Sequence, residues 1–274
     1  MSDQVLTPHK ARLASTLRSS WTSHSAERPV IRKIAPQDLV KALTAGFGDF
    51  MENPSHVLFL SLIYPIVGLL LAFAAAKQNM APLLLALSTG FALVGPLAAL
   101  GLYELSRRRE LGLSSTWRDA LGVIRSPSLA AIFLLSLMLV ALFVSWLLTA
   151  GGLMYLFHPT TSGSLPDVAT LLTTHAGWRF LAVGTAVGFV YALVALTISV
   201  VSLPLLLDRN VGVGLAVSTS IRAVLANPLT MALWGLIVAL ALAAGSLLLF
   251  VGLAVVMPVL GHVTWRLYRL TVAA

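Results

Sequence analysis

The sequence predicts an all-α fold, a polytopic membrane helical bundle, and three observations lead to this prediction. Hydrophobic residues make up 58% of the 274-residue chain and charged residues only 10%. The apolar residues come in runs of about 20 or more, the length that crosses about 30 Å of hydrocarbon. The runs stop at basic clusters or at proline-containing polar turns. Such clusters mark the ends of membrane spans.

The charge and the cysteine content of the chain argue against several classes of function. The net charge of +8 comes from Lys and Arg in the polar segments, where the positive-inside rule and anionic lipid explain them, so we expect no nucleic acid partner. The chain has no cysteine, which excludes disulfides, thiolate catalysis and cysteine-based metal sites. The polar first 50 or so residues do not resemble a cleavable signal peptide, so we expect the first span to direct insertion.

The chain divides into two predicted regions. Residues 1–34 lack a hydrophobic period and predict a flexible cytoplasmic tail, and residues 35–274 form the membrane domain. Pro36 and Asp38 are helix start signals. The helix that follows is predicted to be amphipathic, with one apolar face and one polar face. The apolar face contains Leu39, Leu43, Phe47, Phe50 and Met51, and the opposite face contains Lys41, Thr44, Asp49 and Glu52.

Six transmembrane helices are predicted. Their approximate ranges are 55–76, 82–105, 129–157, 178–207, 229–247 and 250–268. The last apolar run, from Leu229 to Leu267, is too long for one span, since about 20 residues suffice, so we divide it into a hairpin near 245–252. Both termini are then cytoplasmic, as are Arg266 and Arg269. A five-span alternative would place these two arginines outside, against the positive-inside rule.

The spans follow an ordered pattern that predicts three pseudo-repeated hairpins, each preceded by an interfacial amphipathic helix. In each unit the amphipathic helix ends at Asn-Pro or Ser-Pro, and the second apolar run carries an internal proline. The helices end at Pro54, Pro127 and Pro228, and the internal prolines are Pro96, Pro204 and Pro258. An even number of spans per unit gives parallel repeats about an axis along the membrane normal. The alternative is that proline is simply common in membrane helices.

Several stretches in order carry a family resemblance. They are Ile31-Arg-Lys-Ile-Ala-Pro36, Gly90-Phe-Ala-Leu-Val-Gly-Pro96, Gly101-Leu-Tyr-Glu-Leu-Ser-Arg-Arg108, Ala182-Val-Gly-Thr-Ala-Val-Gly188, Val200-Val-Ser-Leu-Pro-Leu-Leu-Leu-Asp-Arg209, Arg222-Ala-Val-Leu-Ala-Asn-Pro228 and Pro258-Val-Leu-Gly-His-Val-Thr-Trp-Arg-Leu-Tyr-Arg269. Together they resemble a bacterial family of predicted integral membrane proteins known as domain of unknown function 2189. The resemblance implies a multi-span inner-membrane protein and supplies no catalytic residue.

One cluster of polar residues is a candidate functional site. The second and sixth spans carry polar residues just past a proline, at their cytoplasmic ends, where ionisable groups near membrane depth are functional candidates. The candidates are Tyr103, Glu104, Arg107, His262 and Arg266. The structural alternative is that Glu104 pairs with Arg107 or Arg108 one turn away and that Tyr103 anchors the span at the interface.

No catalytic residue, metal or cofactor is expected. The histidines predicted near the membrane lie at opposite sides of it, His56 and His262 on one side and His158 and His175 on the other. This placement gives no axial pair for haem. The sequence also shows no Ser/His/Asp arrangement and no pair of buried carboxylates.

The sequence therefore favours a non-enzymatic scaffold or accessory protein of the bacterial inner membrane. We expect Arg107, Arg108 and Arg109 to face anionic lipid of the bilayer, and a membrane protein is a second possible partner. The alternative is a permease for a small solute or lipid, kinked at its internal prolines. Polar residues inside the spans would support the permease, and the sequence offers Thr89, Thr185, Thr197 and Ser199.

Overall fold

The structure is a computed structural model. It describes residues 28–52, 61–62, 64–66, 68–70, 73, 93, 95–113, 116–157, 168–247 and 250–273. The named helices are α1 (Pro36–Glu52), α2 (Leu100–Glu110), the 3₁₀ helix η1 (Trp117–Arg125), α3 (Leu129–Phe157), α4 (Val168–Thr173), α5 (His175–Ser199), α6 (Ser202–Asp208), α7 (Val213–Ala226), α8 (Pro228–Leu247) and α9 (Leu253–Thr271). In this part of the chain the only β pairing is an isolated bridge between Ile31 and Val272.

Among the residues that the structure describes, three helical segments are long and apolar enough to cross a membrane. They are Leu129–Phe157, His175–Asp208 and Pro228–Leu247. In the first and third of these, only 22% of the most apolar stretch is buried inside the protein, so most of the apolar surface needs lipid around it. The all-α membrane fold is thereby confirmed. The predicted first span, Pro54, Thr89 and the predicted outer loop with His158 lie wholly or mostly outside the described residues.

The predicted fourth span breaks four residues before Pro204. Helix α5 ends at Ser199 and α6 begins at Ser202. Pro204 has no N–H with which to donate to the carbonyl of Val200, so the helical ladder is interrupted there. The freed N–H of Val201 donates to the hydroxyl oxygen of Ser220 on α7 (3.2 Å). A side chain from a neighbouring helix thus satisfies the backbone group that the break exposes.

An extended segment before α1 ties it to the far end of the chain. The N–H of Arg32 donates to the carbonyl of Thr271 (2.8 Å), and the N–H of Ala273 donates to the carbonyl of Val30 (2.9 Å). The N–H of Ile34 donates to the Oδ1 atom of Asn227 (2.8 Å). The sequence places these residues in the flexible tail, whereas the structure binds them to the α7–α8 turn and to the end of α9.

The start of α1 follows the predicted signals. The Asp38 carboxylate accepts a hydrogen bond from Lys41 (2.7 Å) and one from the N–H of Ala35 (2.9 Å). These two bonds, with that to Lys41 the larger contribution, lower the pKa of Asp38. The second amphipathic segment begins with a capping box formed by Thr116 and Asp119, and the sequence Thr116-Trp-Arg-Asp119 resembles this motif. The segment is a 3₁₀ helix of nine residues.

Each amphipathic helix packs mainly against the helical segment of one other span. Helix α1 lies along α9, η1 lies against α2, and α7 lies against α5 and α6. Small residues permit the close approach. A Cβ atom added to Gly46 of α1 would lie 2.5 Å from a side-chain carbon of Val263, and one added to Gly101 of α2 would lie 3.1 Å from the Cβ atom of Ala120.

The buried face of α1 differs from the predicted one. Its buried residues are Leu39, Ala42, Gly46, Asp49 and Phe50. Phe47 and Met51, predicted to share one apolar face with Leu39 and Phe50, are 51% and 55% exposed. The helix is rotated because its small residues let the α9 backbone approach, and because Asp49 has cationic partners inside. The prediction that Asp49 lies on the face opposite Leu39 and Phe50 is wrong, since all three are buried on one face.

Helix α7 shows the same arrangement. Its buried residues are Ala216, Thr219, Ser220, Ala223 and Val224, whereas Ile221 and Leu225 are exposed. Small and hydroxyl side chains therefore contact protein, and larger apolar side chains point away from it. This distribution is typical of helices that pack inside a membrane, where small residues face other helices.

Candidate functional site

Charged and polar side chains meet at one end of the bundle, where α1, α2, α6 and α9 terminate. We call this region the charged end. It contains Asp49, Glu52, Glu104, Ser106, Arg107, Arg108, Arg109, Glu110, Asp208, His262, Arg266 and Arg269.

Asp49 is the carboxylate at the centre of the charged end. Arg266 donates to it twice, from Nε to Oδ2 (2.8 Å) and from Nη2 to Oδ1 (2.6 Å). Arg109 lies 3.3 Å from Oδ1 and also donates to the backbone carbonyl of Asp49. The residue is only 3% exposed. Asp49 thus joins α1 to both α2 and α9, and two guanidinium groups balance its buried charge.

His262 lies beside this ion pair. Its Nδ1 atom is 2.6 Å from the hydroxyl oxygen of Ser106, and the same hydroxyl lies 3.4 Å from Oδ2 of Asp49. The residue is 1% exposed. Among the residues that the structure describes, its Nε2 atom is the one buried side-chain nitrogen or oxygen without a hydrogen-bond partner.

Glu104 and Arg107 form a second buried pair on α2. Nε of Arg107 lies 2.8 Å from Oε2 of Glu104, and Nη2 lies 3.2 Å from Oε1. The two side chains are 3% and 2% exposed. Arg108 bonds to Asp119 of η1 (2.9 Å) and lies 3.9 Å from Glu104, so the pair also connects α2 to η1.

The ends of α2, α6 and α9 are connected by further bonds. Trp265 donates from Nε1 to Glu110 (3.0 Å), and Arg269 donates to the same carboxylate (2.9 Å). Arg269 and Tyr268 both donate to Asp208, at 3.2 Å and 2.7 Å. Each carboxylate is therefore shared by two donors from α9, which fixes the three helix ends relative to one another.

The structure brings only part of the predicted cluster together. His262 and Arg266 share one network, but their partners are Asp49 and Ser106, which sequence reasoning missed. Glu104 and Arg107 bond to each other, the geometry of the structural alternative. Tyr103 is buried on the same helix, with its hydroxyl hydrogen-bonded to Thr264 of α9.

The arginines of α2 require a correction. They are predicted to face lipid, but Arg107 is enclosed with Glu104, and 16–17% of the Arg108 and Arg109 side chains is exposed. Arg108 pairs with Asp119, and Arg109 pairs with Asp49 and with Glu52 (2.9 Å). These guanidinium groups therefore pair with carboxylates of the protein itself and do not form an exposed basic face.

The polar residues suggested for a permeation path mostly bond within their own helix. Thr197 donates to the carbonyl of Leu193 (2.7 Å), and Ser199 donates to the carbonyl of Ala195 (2.6 Å). Thr185 is exposed on α5. Back-bonding of this kind satisfies a hydroxyl in a membrane helix without a ligand. The permease therefore stays a prediction that none of these contacts favours.

The side chains of the charged end can bind ions or polar groups and can transfer protons. In the described part of the chain, no three His, Asp or Glu residues are grouped so that they could hold a metal ion. Ser106 lies between His262 and Asp49, whereas the histidine takes the middle position in a hydrolytic triad. The three groups instead form a hydrogen-bonded chain that ends at a carboxylate.

The fold and the site define an all-helical integral membrane protein whose helix ends are joined by ion pairs. The family described as "Predicted integral membrane protein (DUF2189)" matches residues 83–208. This match confirms the family resemblance over those residues, which include the predicted second, third and fourth spans almost completely, with η1 between the second and the third. Searches of curated proteins and of solved structures gave no match.

Proposed function

We propose that this protein is a non-enzymatic scaffold or accessory protein that holds anionic lipid against its cytoplasmic side. The observation that carries the proposal is the outer surface of the three amphipathic helices, which exposes apolar and basic side chains together. Helix α1 exposes Val40, Phe47 and Met51 beside Lys41. Helix η1 exposes Leu121 and Ile124 beside Arg118 and Arg125. Helix α7 exposes Ile221 and Leu225 beside Arg222.

This combination matches the boundary between lipid headgroups and acyl chains. Apolar side chains of an interfacial helix enter the acyl region, and neighbouring Lys and Arg reach the phosphates. Each basic residue near an anionic surface contributes about 1 kcal/mol. The basic residues that serve this role are those of the amphipathic helices, since the arginines of α2 are bound by carboxylates.

The proposal includes six spans arranged as three hairpins around a common axis. The packing supports this, because each amphipathic helix lies on the second helix of the preceding hairpin: η1 on α2, α7 on α5–α6, and α1 on α9. Two hydroxyls just after the Ser-Pro and Asn-Pro turns make equivalent bonds. Ser128 donates to the carbonyl of Arg209 (3.1 Å), and Thr230 donates to the carbonyl of Ile34 (2.9 Å). Both carbonyls precede the next amphipathic helix in this cyclic order.

The proposed location is the bacterial inner membrane with both termini in the cytoplasm. The bridge between Ile31 and Val272 supports an even number of spans, because it puts the two ends of the domain on one side. The positive-inside rule then favours the cytoplasm for that side. Single cysteines introduced at exposed positions of this cysteine-free chain, with a membrane-impermeant maleimide added from either side, test the orientation.

Mass spectrometry of the gently purified protein tests the lipid contact. A variant with Lys41, Arg118, Arg125 and Arg222 all changed to Gln is expected to retain several-fold less anionic phospholipid than the natural protein. The matched control is Arg179→Gln, because Arg179 is an exposed arginine near the start of α5, at the opposite end of the bundle in the proposed topology. Equal retention by the quadruple variant and the natural protein would contradict the proposal, and so would an equal loss in the control.

A further inference from the structure

Helix α1 is held at its two ends by different kinds of contact. Before its first turn, Ile34 is bound to the α7–α8 turn by neutral hydrogen bonds with Asn227 and Thr230. Near its last turn, Asp49 is bound by the guanidinium groups of Arg266 and Arg109. A change of charge at the charged end therefore acts on the C-terminal end of α1 and leaves the contacts of the other end in place.

His262 is placed to make such a change. In the tautomer with hydrogen on Nδ1, the imidazole donates to Ser106, and the Ser106 hydroxyl donates toward Asp49. The Nε2 atom then has a free lone pair, and it has no partner among the described residues. A neutral imidazole in this state is a proton acceptor connected by one hydroxyl to a buried carboxylate.

The charged groups around His262 determine what a proton would do there. Helix α1 contributes Asp49, α2 contributes Arg109, and α9 contributes Arg266. Glu52 of α1 lies next to Arg109. At the end of α6, Asp208 accepts hydrogen bonds from Tyr268 and Arg269, and Arg209, the residue after the helix, donates to the carbonyl of Ala273. The α8 sequence, residues 228–247, contains no titratable residue. A proton on His262 would thus add a third cation beside two arginines that already share Asp49.

We propose that His262 is a proton-binding site that controls the docking of the C-terminal end of α1. Protonation leaves the buried network with excess positive charge, which is costly to keep away from water. Separation of the last turn of α1 relieves this cost, because it admits water to Asp49, Arg266 and the imidazole. The inference does not rest on the proposed lipid contact, since Asp49, Ser106 and His262, which carry it, are buried inside the protein.

Thiol accessibility in the purified full-length protein tests the proposal. Phe50→Cys reports on the C-terminal end of α1 and Leu39→Cys on the end held by Asn227; both native side chains are buried. Thr44→Cys, at an exposed position, calibrates the intrinsic pH dependence of maleimide reaction. Between about pH 8 and about pH 4, which brackets the ordinary titration of histidine, the calibrated rate at position 50 is expected to rise several-fold on acidification. The rate at position 39 is expected to stay constant.

His262→Gln separates histidine from the carboxylates that also titrate at low pH. Glutamine retains a donor and an acceptor for Ser106 but binds no proton, so the acid response at position 50 is expected to disappear. A response of equal size in His262→Gln, or no response with His262 present, would overturn the proposal. Spin labels at Met51→Cys and Leu225→Cys, both exposed, give a second measurement without altering a buried side chain. The distribution of distances between the two labels is expected to broaden on acidification only when His262 is present.

Discussion

Replacing Arg107 with methionine tests whether the charged end stabilises the fold. The substitution keeps an unbranched side chain and removes both bonds to Glu104, whose side chain is only 3% exposed. Breaking a buried pair by removing one partner costs about 3–5 kcal/mol, since the remaining charge stays buried. Arg108 lies 3.9 Å from the same carboxylate and offsets part of this loss. We therefore expect about 3 kcal/mol, which changes the unfolding equilibrium by more than about 100-fold.

Reversible unfolding in mixed micelles of a mild detergent and SDS, followed by tryptophan emission, measures this loss. The double variant Arg107→Met with Glu104→Met is expected to recover most of the stability, because well-packed apolar residues replace buried ion pairs at little cost. Lys41→Met, which removes an exposed ion pair with Asp38, is the matched control and is expected to unfold like the natural protein. The reasoning fails if Arg107→Met costs less than about 1 kcal/mol, or if the double variant is less stable than the single one.

Two further predictions use the same unfolding assay. Gly46→Ala is expected to cost about 1–3 kcal/mol by overpacking, because its Cβ atom would lie within 2.7 Å of Val263; Gly48→Ala, with nothing within 4 Å, is expected to gain up to about 1 kcal/mol. If both variants show the same stability, the described packing of α1 on α9 is wrong. Asn227→Ala is expected to cost about 1–3 kcal/mol, since it leaves the buried N–H of Ile34 without its acceptor, whereas the exposed Asn210→Ala is expected to change stability by less than about 0.5 kcal/mol.

The sequence predicted the elements whose boundaries are set by local chemistry. Helix α3 spans the predicted 129–157, because an uninterrupted apolar run leaves few positions for a helix end. Helix α8 begins at Pro228, one residue before the predicted span, since a proline fits the first turn of a helix. The capping box of η1 was likewise visible in the spacing of Thr116 and Asp119. The 3₁₀ geometry was not, because a nine-residue amphipathic pattern does not distinguish the two helix types.

The candidate site was harder to predict, since it depends on which helix faces meet. Asp49 was placed on the face opposite Leu39 and Phe50, because helical spacing alone groups the large apolar residues on one face and the charged residues on the other. In a membrane, small residues face other helices, and the spacing of Leu39, Ala42, Gly46 and Phe50 carried that signal. The pairing of Asp49 with Arg266 joins residues 217 positions apart, and no local pattern specifies such a contact.

That long separation sets the order in which the protein assembles during its synthesis. The ribosome delivers α1 early, but the surface on which α1 docks belongs to α9, the last helix of the described chain. Until α9 is inserted, Asp49 lacks its Arg266 partner, and the face of α1 that packs on α9 lacks that contact. The bonds of the charged end that involve α9 therefore form late, after the preceding spans have been inserted.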